Sequence, residues 1–73
     1  MKIESSKELG NMIRRRRKQA GLTIDQLAVM AMCSPRLLGE VERGKRNVGF
    51  EIVLSICALL GIELYANGRE ESR

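Results

Sequence analysis

The chain has 73 residues, 44% of them hydrophobic, enough for one small domain. A domain of this size buries only about 60% of the surface its unfolded chain exposes, so a second subunit is a common source of extra stability. Thirteen Lys and Arg against nine Asp and Glu give a net charge of +4, the electrostatic footprint of a nucleic-acid binder, although many basic proteins bind none. Phe50 and Tyr65 are the only aromatics and there is no His, which disfavours an aromatic stacking platform for single strands and a zinc site.

The longest strongly apolar run, residues 52–60, falls far short of the ~20 residues that a membrane span requires. The N-terminus has no apolar stretch of signal-peptide type, so a cytoplasmic protein without membrane contacts is expected. Residues 1–5 read as a flexible start, 6–65 as the folded domain, and 66–73 as a polar, disordered tail.

The first helix is expected over residues 6–20. Ser5 and Glu8 fit a capping box, Gly21 is a natural left-handed stop, and Leu9, Met12, Ile13 and Ala20 share a face. The second is expected over 24–31, capped by Thr23 with Gln26 three residues on, and Ile24, Leu27, Ala28 and Ala31 form its apolar stripe. Ser34 and Pro35 are a strong start signal for the third, with Leu38 and Val41 inside and Gly44 at its end. After a polar loop, a fourth helix is expected over 50–60. It is apolar nearly all round, which calls for cover on more than one side, most simply by a second copy of the chain. Residues 62–65 alternate like a strand that such a copy would pair.

Two charges fall on inner faces. Arg17 lies four residues beyond Ile13, and Glu42 four beyond Leu38. An unpaired buried charge is costly, so a partly buried Arg17–Glu42 ion pair between the first and third helices is expected, against the alternative that both side chains reach outward. The rest of the basic run, Arg14, Arg15, Arg16 and Lys18, fans mostly toward solvent, as a phosphate-facing or simply a solvated surface.

The residues Gly21-Leu22-Thr23, Gln26-Leu27-Ala28, Leu38, Val41-Glu42-Arg43-Gly44-Lys45 and Leu59-Leu60-Gly61-Ile62 resemble the Cro/C1 (XRE-type) helix-turn-helix domain of phage repressors. The short length and the Ile-Glu-Leu-Tyr segment look more like the HipB-type antitoxins within that group. The resemblance implies an all-α, compact four- to five-helix domain with a short C-terminal β-strand pairing across a dimer. Its helix-turn-helix motif would span residues 24–43, and its dimerising helix and strand residues 50–65. By family position Ser34, Pro35, Arg36 and Glu40 would face base edges, with Gly39 inside the same helix. Thr23, Arg43, Lys45 and Arg46 would lie against the backbone. Ile52, Ile56, Leu59, Ile62, Leu64 and Tyr65 would form the dimer interface.

Chemistry supports these roles unequally. Arg36 is exposed on the first turn and Arg pairs bidentately with guanine. Arg43, Lys45 and Arg46 can neutralise phosphates without reading sequence. Glu40 can accept from cytosine or repel phosphate. Three positions depart from the family pattern: Ile24 replaces a phosphate-binding Gln, Pro35 a polar base reader, and Gly39 either allows close approach to DNA or is merely tolerated.

The resemblance implies a repressor on palindromic double-stranded operator DNA, working as a homodimer in the bacterial cytoplasm and nucleoid-associated when on DNA. It further implies the antitoxin of a toxin–antitoxin operon that regulates its own expression, with a HipA-type Ser/Thr kinase as toxin partner. A free-standing phage-type repressor and a protein-interaction module that does not bind DNA are the alternatives. No nucleophile–base pair, phosphate-cradling loop or metal cluster is evident, so neither an enzyme nor a cofactor is expected. Cys57 reads as core. Cys33 precedes the third helix, and nothing in the sequence marks its thiol as activated.

Overall fold

A computed structural model describes residues 2–68, so Met1 and residues 69–73 of the expected tail lie outside the described residues. Four helices follow one another along the chain: α1 (Ser6–Gln19), α2 (Ile24–Ala31), α3 (Pro35–Glu42) and α4 (Phe50–Leu59). Each starts or stops for a local chemical reason. The Ser5 hydroxyl accepts the Glu8 N–H at 3.1 Å, but the return bond comes from the backbone N–H of Glu4 to Glu8 Oε1, one residue earlier than in a closed capping box. Thr23 and Gln26 form the complete reciprocal box at 2.9 and 3.1 Å. Ser34 accepts the Leu37 N–H at 3.0 Å, with Pro35 at the first helical position, where an N–H has no partner to lose.

The helix ends divide between glycine and one exception. Gly21, Gly44 and Gly61 have φ of 74°, 94° and 71°, the left-handed region open to a residue without Cβ. Met32 reaches the same region, with φ 57°, as the residue that ends α2. Its side chain is 92% exposed and so gains little from packing, while the left-handed backbone costs about 1–2 kcal/mol for an L-residue. Met32→Gly is therefore expected to stabilise the fold by about 1 kcal/mol, a rise of roughly 4–8 °C in Tm. Thermal unfolding followed by circular dichroism measures it, and a fall in Tm would show that Met32 makes a contribution of its own.

α3 packs against both α1 and α2, and α4 closes on α2. The core between them contains Ile13, Leu27, Ala28, Leu38, Val41, Ile56, Cys57, Leu60 and Ile62, ringed by half-buried groups such as Leu9, Leu22, Ile24 and Ile52. Two of the expected dimer residues, Ile56 and Ile62, thus fill the chain's own core, at 0% and 7% exposure, and have little surface left for a second copy. Periodicity could not divide a helix that is apolar all round. The division runs between Ile56, Cys57 and Leu60 on the inside and Phe50, Leu54 and Leu59 on the outside.

Residues 62–65 form no strand in the single chain. They run on past Gly61 with Ile62 buried, Leu64 and Tyr65 exposed, and the Tyr65 hydroxyl donating to Glu63 Oε1 at 2.8 Å. A lone strand has no hydrogen-bond partner within one chain, which is the physical reason none forms here.

Arg16 is exposed, as expected, and is also tied to the fold. Its Nε and Nη2 donate to the Leu60 carbonyl at 3.3 and 3.0 Å. A cation at the C-terminal end of α4 satisfies a carbonyl without an intrahelical partner and opposes the negative end of the helix dipole.

Candidate nucleic-acid interface

An eight-residue helix such as α3 is far too short to be stable alone. It is held by its neighbours. α1 crosses its C-terminal end at Gly10, where a Cβ would collide with the Val41 carbonyl and lie 2.6 Å from the Glu42 carbonyl oxygen. Earlier on α1, the Ser6 hydroxyl donates to the Gly44 carbonyl at 2.9 Å, and a Cβ on Gly44 would sit 2.8 Å from the Lys7 Cα. Neither contact was foreseen from the sequence, in which a glycine inside a helix reads as a weakness.

The third attachment is a buried ion pair. Arg17 Nε and Nη2 donate to Glu42 Oε2 and Oε1 at 2.6 and 3.1 Å, and Nη1 donates to the Leu22 carbonyl at 2.8 Å. Both side chains are more than nine-tenths buried. The hydrogen bonds from the guanidinium to Glu42 raise the Arg17 pKa further above its usual value, against the opposing effect of burial. No buried side-chain polar atom among the described residues lacks a partner.

With its inner side fastened, α3 presents an outer face. Ser34, Pro35 and Arg36 at its start are exposed, as are Arg43, Lys45 and Arg46 at its end. Glu40 lies between them, half-buried. It accepts from Lys45 Nζ at 3.1 Å and faces Arg36 Nε at 3.8 Å. The Lys45 hydrogen bond, with the nearby positive charges, holds the Glu40 carboxyl below its ordinary pKa. Gly39 is buried, and a Cβ there would meet Arg43 Nη1 at 3.3 Å. The space it leaves is thus covered by the Arg43 side chain. Thr23 is exposed at the start of α2, its hydroxyl engaged in the capping box. A cleft of about 560 Å³ runs between α1 and α3, and Ile24 of α2 also lines it.

Cys33 and Cys57 are free thiols, half-buried and buried. Burial raises the pKa of both, which lowers the reactive thiolate fraction at neutral pH.

Two capped helices joined by a tight turn, the second locked from behind and open in front, define a helix-turn-helix domain. A helix-turn-helix family model matches residues 13–66. The chain belongs to the Cro/C1 (XRE-type) helix-turn-helix family and is a DNA-binding transcriptional regulator. Among solved structures it is similar to the clp gene regulator ClgR from C. glutamicum, with 34% identity, TM-score 0.72, and coverage of 84% of this chain and 78% of that one. It is also similar to the restriction-modification controller protein C.AhdI from Aeromonas hydrophila, with 33% identity, TM-score 0.71, and coverage of 80% and 88%. Comparison with the curated proteins gives no match. No helix among the described residues is long and apolar enough to cross a membrane.

Proposed function

We propose that the protein is a sequence-specific repressor that binds a palindromic operator as a homodimer in the cytoplasm. The observation that carries this reading is the outer face of α3, where Arg36, Glu40, Arg43, Lys45 and Arg46 surround a helix fixed on α1. In this reading α3 enters the major groove. Arg36 reads a base edge from the first turn, Ser34 and Pro35 lie beside it, and Arg43, Lys45 and Arg46 hold phosphates, with Thr23 near the backbone. Glu40 restrains Arg36 and Lys45 and so sets what they are free to contact. The two chains meet through the outer face of α4 and the following segment. Leu59, Leu64 and Tyr65 contribute exposed apolar surface there, and Ile52, seven residues before Leu59 on the same side of α4, is half-buried.

The same reading makes the protein the HipB-like antitoxin of an autoregulated operon, with a HipA-type Ser/Thr kinase as toxin. Its support is the Ile62-Glu63-Leu64-Tyr65 segment after a compact domain. A free-standing regulator is the second reading, favoured by the two similar structures, which are described as a gene regulator and a restriction-modification controller. The product of the adjacent reading frame distinguishes the two, because a kinase-like protein that co-purifies with this chain supports the antitoxin.

DNA binding is tested on the segment upstream of the gene at two salt concentrations. Arg43, Lys45 and Arg46 on each of two chains contribute about −5 to the slope of log K against log salt, so a slope at least that steep is expected, with two chains bound per palindrome. Absence of binding at low salt would overturn the repressor.

A further inference from the structure

The basic run splits by function in the structure. Arg16 holds the end of α4 and Arg17 is buried with Glu42. Of the remaining cations, Arg14 and Lys18 belong to a longer stripe along α1. Lys7, Asn11, Arg14 and Lys18 stand at spacings of four, three and four residues, which places them within a narrow arc of α1. All are exposed. Among the described residues, none of their side chains has an acidic partner, in contrast to Arg36 and Lys45, which share Glu40.

Three of the four, Lys7, Asn11 and Arg14, line the cleft between α1 and α3, and Arg43 lines it from the opposite side. Asn11, Arg14 and Lys18 continue along a second, shallower cleft. Ile24, at the first position of α2, contributes only hydrocarbon to the main cleft. The carboxylate there, Glu42, has both oxygens committed to Arg17. The cleft is therefore walled by donors and cations on two sides, and its one anion is already neutralised.

We propose that this α1 stripe carries a strand of the DNA backbone, with Arg14 and Lys18 each neutralising a phosphate and Asn11 donating between them. The inference rests on the DNA-binding reading above. It extends the footprint from the α3 face across the cleft onto a helix outside the helix-turn-helix motif. Continuity decides for DNA over an acidic protein surface, because Arg43 belongs to the α3 face and to the cleft alike. A contact of this kind positions the protein without reading bases.

The test is the paired substitution Arg14→Gln and Lys18→Gln, with the salt dependence of binding measured on the operator and on unrelated duplex DNA. Both side chains are exposed, so the melting curve should be unchanged. Removing two phosphate contacts on each of two chains should flatten the log–log slope by about 3.6. Operator and unrelated DNA should lose affinity alike, and the variant's disadvantage should shrink roughly a hundredfold between about 50 and 200 mM salt. An unchanged slope, with the unsubstituted protein still binding DNA, would overturn the stripe and leave the repressor intact. An unchanged slope together with lost binding of the adjacent gene's product would also overturn it and assign the stripe to that protein. Failure of the unsubstituted protein to bind DNA at low salt would overturn both.

Discussion

Gly10→Ala is expected to lower Tm by roughly 10–20 °C, the opposite of what helix chemistry alone dictates. Inside an exposed helix, Ala in place of Gly is favourable by about 1 kcal/mol. At Gly10 the new methyl group would meet the backbone carbonyls of Val41 and Glu42 rather than a side chain that can swing aside. α1 would have to lift from α3, and overpacking of this kind costs about 1–3 kcal/mol, occasionally more. Backbone at a helix end gives little, which places the net loss near ~2–3 kcal/mol, and each kcal/mol moves Tm by about 4–8 °C at this chain length. Gly39→Ala is the matched control. Its nearest neighbour is the tip of the flexible Arg43 side chain, so helix propensity should win and Tm should hold or rise. Calorimetry or circular dichroism on the two variants reads the sign directly. A rise in Tm for Gly10→Ala would show that the two helices are not in hard contact.

Glu42→Ala is the second large effect. The substitution leaves the Arg17 guanidinium buried with only the Leu22 carbonyl, and breaking a buried pair from one side costs about 3–5 kcal/mol. Small domains have only ~5–15 kcal/mol in all, so a Tm fall of more than about 10 °C is expected, with partial unfolding at 37 °C. The double substitution Arg17→Met with Glu42→Leu should recover most of that loss, because a buried ion pair replaced by apolar side chains of similar size is often neutral or stabilising. Glu40→Ala, which breaks pairs at the surface, should barely move Tm. If Glu42→Ala melted like Glu40→Ala, the pair would hold nothing together.

Local chemistry made most of the fold legible. Ser5, Thr23 and Ser34 mark the helix starts and Gly21, Gly44 and Gly61 the stops, because capping and left-handed backbone depend on one or two residues at known offsets. The inner positions of Arg17 and Glu42 followed from helix periodicity, which carries across a gap of 25 residues only because each helix is regular. What the sequence hid depends on how elements approach one another. Gly10 is a point of closest contact between two helices, and nothing in its own neighbourhood says so. Arg16 looked like its neighbours in the basic run until the end of α4 was placed beside it. Ile56 and Ile62 looked as suited to an interface as Leu59, since an apolar helix does not announce which side its own chain will cover. The stripe of Lys7, Asn11, Arg14 and Lys18 was readable by spacing, but the eye stops at the unbroken cationic run inside it.

The fastening of α3 lies almost wholly on its inner side and at its two ends. Ser34 starts the helix, Leu38 and Val41 anchor it, and Glu42 and the Gly10 crossing secure its far end. Arg36 and Glu40 take part in none of these. Those two positions can accordingly be rewritten by substitution without renegotiating the fold. Under the proposed operator-binding reading, a lineage built on this frame is free to change its operator while the scaffold behind α3 stays constant. The buried pair and the glycine crossing are thus the conditions under which the outer letters of the helix become exchangeable.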